Sequence, residues 1–429
     1  MILAGAAVIL LACLLLALPP IRERVMWRFD QLRIRVQYAL FPPEEAVFVP
    51  DQQVAAAVQA TITQIAISTP TVTAAPSPTA VSLPTGAPTA TPTIQPTPLP
   101  DAFTIPSVPY VDQHYGFNNC APANLTLVLN FWGSPATRES VAESLKPFAK
   151  DKNVMPYEMT DMVNAETDLR ALNRNGGSLD LLRRMVAGGF PVIVESGVYL
   201  RDLSGKVSWM GHYQTVYGYD DAQRQFQVKD TYEQNGSRFI MTYDDLLRSW
   251  RSFNYAFIVV YPPAREAEVM ALLGPYADEV SANQIAAQTA SDEIYQLQGQ
   301  EQFFAWYNRG SSLVWLQDYA GAAQAYDEAF KVYAALPAES RPWRVTWYQT
   351  GPYFAYFYTG RYSDVISLAD QTLNSASEPY LEENFYWRAR AKIALGDTAG
   401  AVEDLRKSLE YHPGFDPALA LLNELGVTP

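Results

Sequence analysis

The sequence predicts an α+β domain followed by an all-α repeat domain, both placed behind an apolar N-terminal segment and a long linker. Within residues 101–263, helix-like patterns come first and short alternating strands follow. This segregated order is typical of α+β domains. From residue 264 onward the strand patterns stop. A chain of 429 residues is also too long for one ordinary domain.

The N-terminal segment is predicted to be a membrane anchor. Residues 2–18 are apolar or small without interruption, which is close to the lower limit for a membrane-spanning helix. We therefore expect a single-pass transmembrane anchor over residues 1–20 and a short helical juxtamembrane segment over residues 21–68. Five arginines follow the anchor, and the positive-inside rule would keep that flank cytoplasmic.

Residues 69–100 indicate the opposite orientation. They are nearly all Thr, Pro, Ala and Ser and carry no charge, so they cannot bury enough apolar surface to fold. A proline-rich linker stays extended at about 3.1 Å per residue, which holds a domain on the order of 100 Å from its anchor. Such a stalk is typical of surface display, and we expect both folded domains to be extracellular at the cell membrane.

Charge and cysteine content exclude several functions. The net charge of −14 argues against a nucleic-acid partner, which requires a basic face. The chain has two cysteines, Cys13 in the anchor and Cys120, so a disulfide framework is excluded.

Cys120 stands where a polar loop meets an apolar run of helix length. Pro122 suits the first turn of a helix, and Gly133 is placed to end it. A helix N-terminus favours an anion and lowers the pKa of a thiol there. Cys120 is therefore predicted to be a nucleophile, against the alternative of an inert buried thiol.

The remaining elements of this domain follow from capping residues and periodicity. Thr137 and Ser178 are predicted helix caps. Alternation indicates strands later in the chain, joined as a small antiparallel sheet. The predicted helices cover residues 137–145, 157–168 and 178–187, and the predicted extended segments cover residues 105–111, 190–194, 211–219, 225–229, 237–241 and 255–261.

A cysteine nucleophile needs a base, and few residues could serve because the chain has three histidines. His212 starts a strand of the sheet that would pack on the Cys120 helix, and a base there could take the thiol proton. Asp230 ends the neighbouring strand and could orient the imidazole. The amide of Gln113 could join the Cys120 N–H in an oxyanion hole. A plain strand-end carboxylate and a plain loop glutamine remain alternatives for Asp230 and Gln113, and His114 is expected to have no chemistry.

These motifs resemble a known family. The Gln113–Cys120 spacing, the residues around Cys120, the Gly211-to-Asp221 strand and the Asp230 strand end are similar to papain-clan, bacteriocin-leader-type (C39-like) cysteine peptidases. The resemblance covers roughly residues 103–263 and implies a papain-like fold. It implies that Gln113, Cys120, His212 and Asp230 are the oxyanion-hole glutamine, nucleophile, general base and orienting carboxylate.

Two departures from the family pattern stand beside these residues. The family usually has glycine where this chain has Ala121, and often proline where it has Thr231. Neither change removes a reacting group. The phosphate-binding loop of an ABC transporter is missing from the sequence, so export of a leader peptide is not implied.

Residues 264–429 resemble tetratricopeptide repeats. One copy begins near Trp306, a second matches from Phe385 to Pro413, and a looser copy lies between them. About three such units are needed for a continuous core. Repeats of this type usually bind a peptide or protein, although packing on the peptidase domain alone is an alternative.

The sequence as a whole therefore predicts a membrane-tethered cysteine peptidase. Its expected partners are a peptide or protein substrate, a protein bound by the repeats, and the membrane through the N-terminal helix. We expect no cofactor and no metal. Two alternatives remain: a catalytically inactive, peptidase-like binding protein, and amide transfer or deamidation by the same residues.

Overall fold

The computed structural model describes residues 19–40, 47–51, 98–114, 116–148, 151, 153–201, 207–233, 235–376 and 378–429. The predicted anchor over residues 1–20 lies almost wholly outside them, as does most of the predicted linker over residues 69–100. Among the helices that are described, none combines the length and apolar character needed to cross a membrane.

The N-terminal part of the described chain contains one helix and then the α+β domain. Helix α1 spans Pro19–Leu40. The α+β domain has seven strands among its described residues and follows the predicted class. Its elements are β1 (Ala102–Thr104), α2 (Cys120–Phe131), α3 (Arg138–Leu145), α4 (Pro156–Glu166), β2 (Arg170–Arg174), α5 (Leu179–Ala187), β3 (Val192–Arg201), β4 (Val207–Asp220), β5 (Gln225–Lys229), β6 (Phe239–Thr242), α6 (Tyr243–Arg251) and β7 (Phe257–Tyr261).

The strands form one antiparallel sheet in the order β2-β7-β3-β4-β5-β6, with β1 also paired to β4. The last strand, β7, therefore inserts between β2 and β3. The sheet is more than the simple meander that the sequence predicts, because β2 was missed. Its residues are Arg-Ala-Leu-Asn-Arg, and such a short, polar edge strand carries little of the alternation that reveals a strand.

Helix α2 packs on this sheet because its apolar residues cover nearly its whole surface. Leu125, Val128 and Leu129 are each 0% exposed. The helix ends at Phe131, and Gly133 follows with a φ of +88°, a conformation that glycine adopts without strain. The predicted start and stop of this helix are therefore confirmed, and Cys120 is its first residue.

Several predicted boundaries are confirmed and others are wrong. Thr137 and Ser178 cap α3 and α5, and β5 has the predicted limits. The extended segment over residues 105–111 is not a strand; β1 precedes it instead. Helix α6 was missed, although Thr242 caps it by accepting a hydrogen bond from the Asp245 N–H.

The C-terminal domain is helical throughout its described residues. It comprises α7 (Glu266–Leu273), α8 (Glu279–Ile294), α9 (Gly299–Trp315), α10 (Tyr319–Ala335), α11 (Val345–Tyr348), α12 (Gly351–Tyr358), α13 (Tyr362–Asn374), α14 (Glu382–Ala394), α15 (Thr398–Tyr411) and α16 (Asp416–Glu424). Successive helices pack against each other. At Gly310 a Cβ atom would meet the Tyr326 ring at 2.8 Å, so glycine permits the close approach of α9 and α10.

The two domains share a polar and aromatic interface. Trp209 at the start of β4 is 2% exposed and stacks on Phe253 and on Phe304 of the repeats, each at 5.7 Å between ring centroids. Asn308 donates to the Arg251 carbonyl at 2.6 Å, and Gln349 donates to the Ser252 carbonyl at 2.7 Å. The repeats therefore pack directly against the domain that contains Cys120.

Part of the predicted juxtamembrane segment also packs on the repeats. Phe48 is 4% exposed and contacts the rings of Phe330 and Tyr356 at centroid distances of 4.8 and 6.0 Å. The Asp51 N–H donates to Asp364 Oδ1 at 3.0 Å. Residues 47–51, which form neither helix nor strand, thus occupy an aromatic surface of the repeat domain.

Candidate active site

The thiol of Cys120 lies at the first residue of α2, where the sequence predicts it. The cysteine is free and half-buried. Its side chain is near enough to His212 and to the backbone of Ala121 and Tyr213 for these groups to lower the pKa of the thiol. Ala121 is 1% exposed and fits in the first turn of the helix, so the departure from glycine leaves this geometry intact.

His212 reaches the thiol from β4, which crosses the face of α2. It is 2% exposed, and its Nε2 atom lies 3.0 Å from Asp230 Oδ1. With Nε2 turned toward the carboxylate, Nδ1 is the ring nitrogen turned toward Cys120. The structure therefore brings thiol, imidazole and carboxylate together in the predicted order.

Asp230 is placed by strand register. Lys229 pairs with Thr215, so the next residue, Asp230, is level with Gln214 and diagonal to His212. Asp230 is 4% exposed and is surrounded by donors. Its Oδ2 accepts from Gln214 Nε2 at 2.7 Å, and its Oδ1 accepts from the N–H groups of Tyr232 at 2.9 Å and Glu233 at 3.1 Å.

These contacts decide which groups are charged. Burial disfavours the thiolate, but the hydrogen bond and charge of His212 lower the pKa of Cys120 below its ordinary value. Burial opposes protonation of His212, yet the charge and hydrogen bond of Asp230 raise the pKa of His212 to about 10. Against the effect of burial, His212 also holds the pKa of Asp230 well below its usual range. The site therefore favours a thiolate–imidazolium pair beside an ionised carboxylate.

Gln113 lies in the loop before α2 and is tied to the strand end after β5. Its N–H donates to the Thr231 carbonyl at 3.1 Å, and its Oε1 accepts from the Thr231 hydroxyl at 2.6 Å. This contact orients the amide with its oxygen toward Thr231, leaving the NH₂ group for a different acceptor. Thr231 thus has a positioning role that the sequence did not reveal.

Asn124 is a second positioning residue that the sequence did not reveal. It is 0% exposed, one turn after Cys120. Its Nδ2 contacts the Cys120 carbonyl at 2.9 Å, the Tyr213 carbonyl at 2.8 Å and Thr231 Oγ1 at 3.2 Å, and its Oδ1 accepts from Thr215 at 2.7 Å. Asn124 therefore links α2 to β4 and to Thr231, the residue that holds the Gln113 side chain. The feature of the sequence that could have indicated this role is a polar residue inside the apolar run that follows Cys120.

The repeat domain contributes one wall near the site. The hydroxyl of Tyr348 lies near the backbone of Gly211, next to His212. Burial raises the pKa of the tyrosine, and Cys120 is close enough for the charge of its thiolate to raise it further. A Cβ atom at Gly211 would meet the Tyr348 ring at 3.1 Å. A residue of the repeat domain therefore borders the thiol region.

Three further residues near the site, His114, Trp209 and Lys146, make contacts that support the fold. His114 is exposed; its Nδ1 lies 2.6 Å from Asp112 Oδ1, and its ring stacks on Tyr232. Trp209 is buried in the interface between the two domains. Lys146 is 6% exposed and donates to Asn119 Oδ1 at 2.6 Å, bracing the loop immediately before Cys120.

Two parts of the chain match known protein families. Residues 105–258 match the model of the Peptidase_C39 like family. The predicted resemblance to C39-like peptidases is thereby confirmed for this domain. Residues 383–414 match the Tetratricopeptide repeat model, which confirms the second predicted repeat copy.

One solved structure is also similar, a proposed C39-like peptidase from Bacillus anthracis. It is 14% identical, and the match covers 37% of this chain and 96% of that one at a TM-score of 0.31. The comparison with curated proteins gave no match.

Proposed function

We propose that the protein is a cysteine peptidase that uses Cys120, His212 and Asp230, with Gln113 completing the oxyanion hole. The observation that carries the proposal is the buried His212 ring, which is near enough to the Cys120 thiol to lower its pKa and whose Nε2 lies 3.0 Å from Asp230 Oδ1. An inert thiol needs no buried imidazole beside it and no ionised carboxylate behind that imidazole.

The chemistry follows from the charges. The Cys120 thiolate attacks a peptide carbonyl carbon, and the carbonyl oxygen becomes an oxyanion. The Gln113 NH₂ group and the Cys120 N–H stabilise that oxyanion. His212 gives its proton to the leaving amine as the C–N bond breaks, and then takes a proton from the water that hydrolyses the thioester. Asp230 keeps the imidazole oriented throughout and stabilises its protonated form.

The repeat domain is proposed to present the substrate or a partner protein. Tyr348 and Arg344 support this, since the repeats contact the Gly211 and Trp209 backbone beside the site. The contacts of the chain's own Phe48 with Phe330 and Tyr356 support a peptide with an aromatic residue as the proposed type of ligand.

We also propose that the chain is tethered to a membrane with both domains outside the cell. The apolar run over residues 2–18 and the uncharged Thr/Pro stretch over residues 69–100 support this proposal. Protease treatment of intact cells that express the full chain should digest both domains; protection of both until the cells are lysed would reject this orientation.

The activity is tested by digestion of a peptide library with the full chain, analysed by mass spectrometry. Cys120→Ala should remove both hydrolysis and labelling by a thiol-directed probe. Cys13→Ala is the matched control, because the chain has two cysteines, and it should keep both. Hydrolysis that survives in Cys120→Ala would end the proposal.

The same experiment separates the alternatives. Probe labelling of Cys120 without any cleavage product would favour the inactive, peptidase-like binding protein. A mass increase of a glutamine substrate by deamidation, or formation of a new amide, would favour the transfer chemistry, for which the same triad geometry suffices.

A further inference from the structure

A second cluster of ionisable side chains lies away from the thiol, at the junction of the two domains. Asp151, Glu382 and His412 each place one potential ligand atom within 4.8 Å of the others. His412 Nδ1 lies 3.0 Å from Glu382 Oε1. Asp151 and Glu382 are each 2% exposed, so two carboxylates and an imidazole converge in a place that is largely closed to solvent.

Two carboxylate oxygens in this region have no hydrogen-bond partner among the described residues. They are Glu382 Oε2 and Glu383 Oε2, on side chains whose residues are 2% and 6% exposed. A buried ionised carboxylate without a partner is costly, and proteins normally compensate it with a donor, a counter-ion or a bound metal. Asp230 differs in this respect, because both of its carboxylate oxygens accept hydrogen bonds.

Negative charge accumulates around the same point. Burial, together with the charges of Asp151 and Glu158, raises the pKa of Glu382 well above its ordinary value. Burial and the charge of Glu383 raise the pKa of Glu158 to about 8. The charge of Lys146 acts on Asp151, but the ammonium group itself donates to the Phe117 carbonyl and Asn119 Oδ1. Among the described residues, four carboxyls therefore lie around this point, namely those of Asp151, Glu158, Glu382 and Glu383.

We propose that Asp151, Glu382 and His412 bind a divalent transition-metal cation such as Mn²⁺ or Zn²⁺. One imidazole nitrogen with carboxylate oxygens is a ligand set that suits these ions, whereas Ca²⁺ and Mg²⁺ prefer oxygen ligands alone. The oxygen of Glu382 that has no hydrogen-bond partner among the described residues would then coordinate the cation. The cation would also offset the negative charge of the neighbouring carboxyls. The sequence, which predicts no metal, did not reveal this site because its residues are far apart along the chain.

The cation would join the two domains. Asp151 lies in the segment between α3 and α4 of the peptidase domain, whereas Glu382 begins α14 and His412 follows α15 of the repeats. The Phe148 ring packs beside the cluster on Tyr380 and Tyr411, at centroid distances of 4.8 and 5.9 Å. A bound ion would therefore fasten the peptidase segment on the last repeat.

The same segment is connected to the loop before the nucleophile. Asn118 Nδ2 donates to the Asp151 carbonyl, and Lys146 holds Asn119. A cation at Asp151 would thus stabilise the residues that lead into Cys120, without contacting the reacting groups. The role is structural, and it does not depend on whether the thiol hydrolyses peptides.

The site is tested with Mn²⁺ and the full chain carrying Cys120→Ala, which removes the thiolate as a competing metal ligand. Titration followed by electron paramagnetic resonance measures free Mn²⁺, and the melting temperature is recorded with Mn²⁺ and with a chelator. Glu382→Gln and His412→Ala are compared in this background. His114→Ala is the matched control, since His114 also pairs with a carboxylate but is exposed.

We expect saturable binding of one Mn²⁺ per chain and a melting temperature that rises with Mn²⁺. Each variant of the cluster should weaken binding by about tenfold or more and lose the thermal shift, while His114→Ala keeps both. Binding that is absent at millimolar Mn²⁺, or that is unchanged in Glu382→Gln and His412→Ala, would overturn the proposal. Glu382→Gln protein that melts higher than its parent, with no response of the parent to Mn²⁺, would overturn it as well.

Discussion

The His212–Asp230 and His412–Glu382 pairs both hold an imidazole nitrogen 3.0 Å from a carboxylate oxygen. Around Asp230 stand an amide and two backbone N–H groups, and a thiol lies on the far side of the ring. Around Glu382 stand further carboxyls, and one of its oxygens has no partner among the described residues. Donors lower the pKa of the first carboxyl, whereas burial and like charges raise that of the second.

An imidazole–carboxylate contact therefore does not by itself define a function. Its surroundings decide whether the pair activates a nucleophile or attracts a cation. The carboxylate of Asp230 has its donors within the protein, whereas the pair at Glu382 is proposed to bind a cation. Substitutions in and around the two pairs should separate these roles, with the largest effects at the thiol.

Replacement of His212 should cause the largest loss of activity. His212→Ala removes the group that holds the thiolate and protonates the leaving amine, so kcat/KM should fall by about 10²- to 10⁴-fold. His412→Ala is the matched variant from the other pair and should lose much less. Peptide hydrolysis measured for both variants is the check, and equal losses would deny the distinction between the pairs.

Gln113→Ala should lower kcat/KM by about 10²- to 10³-fold if its amide donates to the oxyanion. The loss should fall mainly on kcat, because the interaction forms in the transition state. Labelling of Cys120 by iodoacetamide should be nearly unchanged, since alkylation does not generate an oxyanion. A variant that loses labelling together with hydrolysis would assign Gln113 to the structure of the loop instead.

Asp230→Asn should move the alkaline limit of activity. The negative charge of Asp230 raises the pKa of His212 to about 10, against the opposing effect of burial. Without that charge the pKa of His212 should fall by about 1 to 3 units. The imidazolium is then lost at lower pH, so the alkaline limb of kcat/KM shifts to lower pH. An unshifted limb in this variant would show that Asp230 does not set the charge of His212.

Thr231→Val should reveal the positioning role of the threonine. It leaves Gln113 Oε1 and Asn124 Nδ2 without their shared hydroxyl, at a cost of about 1–3 kcal/mol in folding free energy. The kcat should fall while the rate of Cys120 alkylation stays near that of the parent. Thr231→Ser restores the hydroxyl and should restore kcat; failure of this rescue would assign the effect to packing.

The two carboxyls should affect stability with opposite signs in chelator-treated protein. The folded-state pKa of Asp230 is lowered from 3.8, so its contribution is present above that value and lost as pH falls. That of Glu382 is raised from 4.5, so stability declines as pH rises above that value. At pH 8 Asp230→Asn should lower the melting temperature and Glu382→Gln should raise it. Shifts of the same sign would contradict the assigned charges of the two pairs.

Local signals in the sequence marked each residue of the candidate site that the structure brings together. Pro122 and Gly133 bracket the Cys120 helix, alternation placed His212 on a strand, and the strand end placed Asp230. The resemblance to C39-like peptidases placed all of them in one order, and the family match confirms that resemblance over residues 105–258.

The remaining features depend on contacts between distant residues. Thr231 reaches Gln113 and Asn124 only after β5 lies beside β4, so nothing near Thr231 in the sequence marks it as a positioning residue. Asp151 and Glu382 are more than two hundred residues apart. The short polar strand β2 has no alternation of apolar and polar residues that would reveal a strand, and its pairing with β7 defines it.

The proposed chemistry requires that His212 hold Cys120 as a thiolate, and the pH dependence of alkylation tests this requirement directly. In the full chain carrying Cys13→Ala, the iodoacetamide rate should persist well below pH 9.0, the ordinary pKa of the thiol. Adding His212→Ala should move the apparent pKa up toward that value. A rate that rises with an apparent pKa near 9.0 in the parent, unchanged by His212→Ala, would contradict the proposed thiolate–imidazolium pair.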